Sequence, residues 1–166
     1  MNMNPYRYVA ASTIFLGLLL ALPAVWTEAQ AQASGHISLV PSELKWNDAP
    51  ALGPGVKIAI IEGDPKVAGP LIMRIKFPPN TKVAPHTHPL IEHVTVLSGT
   101  FYLGIGEKVD ASKAKAYPAG GVAVIPQGMP MFAFSKGKGT IVQVHGIGPW
   151  ATNFLNPADA PAAKKK

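Results

Sequence analysis

Residues 80–99 read NTKVAPHTHPLIEHVTVLSG, with His86 and His88 two positions apart and Glu92 four positions further on. On an extended chain successive side chains leave opposite faces, so the two imidazoles project from one face and can grip a single ion. Glu92 has the same parity and can add a carboxylate after the bend that Pro89 invites. Two neutral imidazoles and one carboxylate with open positions form the ligand set favoured by Fe(II), and Mn or Zn also accept it. Val94 and Val96 continue the face of Glu92, which points to a buried site. His93 falls on the other face and is expected at the surface or hydrogen-bonded behind a ligand.

Working outward, short apolar runs recur at strand-like spacing between prolines and glycines, which number 17 and 16 in the chain. The runs are Val56 to Ile61, Leu71 to Phe77, Glu92 to Ile105, Val122 to Ile125, Met131 to Phe134 and Thr140 to Ile147. In the second run Leu71, Met73, Ile75 and Phe77 alternate with Arg74 and Lys76, the period-2 signature of a half-buried strand. Gly99 is expected to divide the long third run at a turn or bulge. The segments 63–69 and 135–139 have the composition of hairpin loops. No internal repeat and almost no helical period accompany these signals. The expected fold is all-β, a compact antiparallel barrel of eight or so short strands.

The chain has 166 residues, 48% of them apolar and 14% charged, which suits one globular domain with a buried core. Its first 33 residues read as a secretory signal: Arg7 precedes the short apolar stretch Ile14 to Val25, and Ala29-Gln-Ala31 and Ala31-Gln-Ala33 offer cleavage sites. Cleavage would leave a periplasmic or secreted protein with no stable membrane anchor. The barrel is expected over residues 34–157 and a flexible basic tail over 158–166. The absence of cysteine excludes thiol chemistry, disulfides and a lipid-modified N-terminus. The net charge of +6 owes three units to Lys164, Lys165 and Lys166, without aromatic interleaving or a nucleic-acid motif, so no nucleic-acid partner is expected.

The spacing resembles that of the cupin superfamily. Its first motif, G-x5-H-x-H-x3,4-E-x6-G, is met by His86, His88, Glu92 and Gly99, with Asn80 in place of the leading glycine. Its second motif, G-x5-P-x-G-x2-H-x3-N, is met by Gly120, Pro126 and Gly128, but Met131 stands at the histidine position and Ser135 at the asparagine position. The resemblance covers about residues 80–135, and the flanking stretches look like small single-domain bacterial cupins of unassigned function. It implies a jelly-roll barrel that pairs as a homodimer and holds a divalent metal through the first-motif residues plus a fourth ligand.

Two residues compete for that fourth place. Met131 reads most simply as a core hydrophobe that narrows the pocket; if its sulfur coordinates, copper joins Fe, Mn and Zn as a candidate. His145 faces Met131 across the strands if Gly137-Lys-Gly139 closes a three-residue hairpin, and turns away if the loop has two residues. His145 also reads as a hydrogen-bonded barrel residue behind the site, and the His86, His88, Glu92 cluster as a metal-free polar network. His36 is expected to be exposed and without a role. Two functions follow: a metalloenzyme acting on a small molecule, of oxygenase or isomerase type, or a non-catalytic module that binds metal or small ligand for sensing or storage.

Overall fold

The computed structural model describes residues 35–160, and the signal-peptide reading of 1–33 and the lysines 164–166 lie outside them. The described residues form nine antiparallel strands: β1 (Asn47–Asp48), β2 (Lys57–Glu62), β3 (Gly69–Phe77), β4 (Lys82–Thr87), β5 (Glu92–Ile105), β6 (Lys115–Pro118), β7 (Val122–Ile125), β8 (Met131–Gly148) and β9 (Asn153–Phe154). The strands run β1-β2-β3-β8-β4-β9, with β5 joined to β6, β7 and β8. This curled all-β sheet is the jelly-roll expected from the sequence. Among the described residues no helix is long and apolar enough to cross a membrane, and the three 3-10 turns are three residues each. The stretch read as tail opens inside the last of these, Pro157–Asp159, where the Asn156 side chain accepts from Ala158 N–H.

The core follows from strand alternation. Along β3, Leu71, Met73, Ile75 and Phe77 are buried, while Arg74 on the outer face donates to Gln143 Oε1 across the β3–β8 pair at 2.9 Å. Segment 63–69 is the hairpin loop between β2 and β3, as its composition predicts.

Segment 135–139 is not a hairpin. Strand β8 runs unbroken through it, pairing with β4 and the far end of β5 over 131–135, and with β3 and the near end of β5 over 140–148. The glycines there relieve crowding rather than close a turn. A Cβ on Gly139 would collide with Phe77 O, and one on Gly99 would collide with Gly139 O; both have positive φ. The register shifts at Val96/Ser98 and Gly99/Phe101 are the corresponding bulge, where β5 bends without being divided. Both registers drawn from a hairpin at 137–139 therefore fail.

Strands β4 and β6 were not among the runs read from the sequence. Pro85 and the bulge between Val83 and His86 hide the alternation of β4, and Lys115–Pro118 has no apolar pattern of its own.

Candidate functional site

The His86–Glu92 segment crosses from the end of β4 to the start of β5, and the local structure around it is built by both sequence motifs. Asn80 has φ 60°, the left-handed conformation that a glycine adopts freely and asparagine tolerates, so it does the work of the missing glycine. Gly128 N–H donates to His88 O at 3.0 Å, so the turn after β7 holds the backbone of the histidine loop. Ser135 is buried; its hydroxyl accepts from Thr81 N–H at 3.1 Å and donates to Pro78 O, tying the β3–β4 connection to β8.

His86, His88 and Glu92 are all buried and line one end of a cavity of about 300 Å³ inside the barrel. His86 Nδ1–H donates to Ala84 O and His88 Nδ1–H to Ala151 O, each at 2.7 Å. A carbonyl only accepts, so both Nδ1 atoms carry the proton and both Nε2 atoms present a lone pair. This is how metal-binding histidines are oriented from behind. The rings meet edge to face with centroids 5.0 Å apart. His88 stacks on Trp150 at 4.6 Å, and His86 lies 5.8 Å from the Phe154 ring.

Burial controls the charge state of all three groups. Desolvation lowers His86 below the usual histidine range and lowers His88 to about 4, against the opposing pull of their carbonyl partners. Desolvation alone raises the Glu92 carboxyl to about 8. Glu92 Oε2 is buried with no hydrogen-bond partner and stands 3.7 Å from His88 Nε2. A buried acceptor beside an imidazole lone pair is costly unless a cation or a donor fills the gap.

The residues present therefore suit a divalent ion in kind: two oriented imidazole lone pairs and an orphaned carboxylate oxygen. Among the described residues, no three His, Asp or Glu side chains are gathered closely enough to hold an ion as they stand, so a three-ligand shell needs side-chain adjustment.

The remaining sequence candidates separate. Met131 is buried, lines the cavity and is the strand neighbour of His86. His145 does not line the cavity. Its neighbours Val142 and Val144 face inward, while His145 pairs with His93 on the outer face and lies 3.3 Å from Gln143 Nε2. His93 is exposed, as its parity predicts.

Sequence reasoning missed Trp150, Ala151 and Phe154, which form the wall behind the histidines. Their one signal was Gly146: a Cβ there would clash with the Trp150 ring, so the indole packs where a side chain is missing.

The family model described as Cupin matches residues 68–155, more than half of the chain. A rice protein (Oryza sativa subsp. japonica) named germin-like protein 2-2 is 36% identical over 82 residues, 48% of this chain and 37% of that protein, so the likeness spans little more than a third of the relative. The polyketide cyclase RemF from Streptomyces resistomycificus shares the fold with a TM-score of 0.64 at 16% identity, over 76% of this chain and 89% of that one. An RmlC-like cupin from Shewanella frigidimarina does so with a TM-score of 0.54 at 19% identity, over 69% and 91%. At such identities the structural likeness speaks for the fold alone. Together with the nine-stranded jelly-roll, the match over residues 68–155 shows that the chain belongs to the cupin family.

Proposed function

We propose that this protein is an exported cupin that binds a divalent metal through His86, His88 and Glu92, and that its cavity receives a small molecule beside the metal. The observation that carries the reading is the pair of locked imidazoles, with both Nε2 lone pairs free, next to the unpartnered Glu92 Oε2. Burial keeps both rings neutral, which is the form that ligates. Glu92, which burial keeps protonated without metal, would release its proton on binding and supply the compensating negative charge. A bound Fe, Mn or Zn ion would supply Lewis acidity inside the cavity. The apolar barrel wall lowers the local polarity and so strengthens the electrostatic interactions among these groups.

Elemental analysis of the purified mature protein tests this directly. About one equivalent of metal per chain is expected, and His86→Ala or Glu92→Ala should abolish it. Failure to bind any of Fe, Mn, Zn or Cu after reconstitution would overturn the reading.

Met131 favours a second reading, a non-catalytic cupin that holds a metal or small ligand for sensing or storage. It is a buried thioether beside His86 where the family motif has a fourth imidazole, and the cavity offers no acid–base group beyond His86, His88 and Glu92. Coordination by its sulfur would favour copper. Turnover of a ligand found to bind would decide for the enzyme.

The signal-like segment supports a periplasmic or secreted location, which fractionation and N-terminal sequencing would check. A homodimer formed through the sheets, and no nucleic-acid partner, complete the proposal.

A further inference from the structure

The walls of the cavity restrict its ligand more than the candidate metal ligands do. Beyond the His86, His88, Glu92 end they are almost wholly apolar: Ile75, Phe77, Phe101, Met131, Val142 and Val144 line the interior. Among the described residues no lysine or arginine lines it, and Thr152 adds the one hydroxyl. Burying a carboxylate or phosphate without a cationic side chain costs several kcal/mol, and a polyol would leave most of its hydroxyls without partners. In metal-free protein, permanent anions and sugars are therefore disfavoured on solvation grounds.

The polar end adds a second restriction. With Nδ1–H of both histidines committed to carbonyls, His86 and His88 offer only acceptors there. Glu92 Oε2 has no hydrogen-bond partner among the described residues. The complementary head group is a hydroxyl, which donates to the imidazole nitrogens, meets Glu92 as donor to the carboxylate or acceptor from the carboxyl, and has an oxygen that is also a ligand for a hard divalent ion.

Size gives the third restriction. A volume of about 300 Å³ lies at the small end of ligand pockets and equals about ten water molecules in the liquid, so it holds roughly ten to fifteen non-hydrogen atoms.

We propose that the ligand is a neutral, largely apolar hydroxyl compound of phenol or naphthol class, bound with its hydroxyl toward His86, His88 and Glu92 and its hydrocarbon body among the barrel valines and phenylalanines. The proposal takes the cavity as the functional site, as above, but does not require that a metal be present.

The test is calorimetric titration of the purified protein, before and after chelator treatment, with 2-naphthol, 2-naphthoate and mannitol. The expected result is saturable 2-naphthol binding, 2-naphthoate at least about tenfold weaker in the chelator-treated protein, where its charge has no partner, and no heat from mannitol. Val144→Phe, which fills the cavity, should abolish 2-naphthol binding. Because that variant can misfold, the wild-type protein is also followed by NMR, where 2-naphthol should shift the methyl signals of Val94, Val142 and Val144 and leave those of exposed Val67 and Val109 in place. Equal or tighter binding of 2-naphthoate by chelator-treated protein, binding of mannitol, shifts confined to the surface, or no 2-naphthol binding by folded protein would overturn the proposal. Metal content measured on the same samples separates the two readings: protein that takes up no metal before chelation or on reconstitution yet binds 2-naphthol sinks only the metal centre, and metal-loaded protein that ignores it sinks only the ligand class.

Discussion

Replacing Glu92 by glutamine should make the metal-free protein more stable as the pH rises, although it removes a candidate ligand. The folded chain holds the Glu92 proton up to about pH 8, because desolvation disfavours the carboxylate, whereas an unfolded glutamate loses it near pH 4.5. The contribution of this group to stability is thus fully present below about pH 4.5 and is lost as the pH climbs through about 8. At 1.36 kcal/mol per pH unit, wild type forfeits about 2 kcal/mol by pH 6 and about 4 kcal/mol by pH 8 relative to pH 4. A glutamine does not titrate, so the stability difference between Glu92→Gln and wild type should grow by that amount, raising the relative melting temperature by about 10 °C at pH 8. His88 titrates in the opposite sense, losing its contribution as the pH falls from 6.5 through about 4, but it is present in both proteins and cancels to first order. The assay is thermal and urea unfolding followed by circular dichroism from pH 5 to 8.5 with chelator present. A difference independent of pH would refute the claim that Glu92 is desolvated in the folded state, and with it the physical case for a site built to receive a cation or a donor.

Four further outcomes follow. Trp150→Ala removes the ring stacked on His88, so water reaches the imidazole and its pKa should climb from about 4 toward the ordinary value, as read by NMR titration of metal-free protein. Gly99→Ala forces a positive φ onto alanine and drives its methyl into Gly139 O, so it should cost at least about 2 kcal/mol in urea unfolding. Leu71→Ala, at a position with 1% exposure, should cost about 3 kcal/mol by the same measurement. His145→Ala should leave metal content unchanged, because that side chain lies outside the cavity; loss of metal would return His145 to the site.

Much of this arrangement was legible in the sequence because strand parity is a strong rule. It placed Glu92, Val94 and Val96 inside and His93 outside, and those residues behave so. Parity also paired His86 with His88, despite the bulge just before them. Long-range register was not legible. Whether Met131 or His145 approaches the histidines depended on the shape of residues 135–139, where glycines that compose a turn in isolation instead let three backbones come together. The Trp150–Phe154 wall was illegible for another reason: its contact with His88 joins residues 63 positions apart, and nothing local records it.

That wall has a consequence for how the protein comes into being. The acceptor that orients His88 is Ala151 O, and the ring that covers it is Trp150, both downstream of the final long strand. A chain emerging from the ribosome would carry both histidines and Glu92 long before it carried the groups that align His88. If the cavity binds as proposed, competence would be acquired last, when the C-terminal segment docks, and a nascent or truncated chain ending at Gly148 would own the barrel's long strands yet lack the groups that align His88.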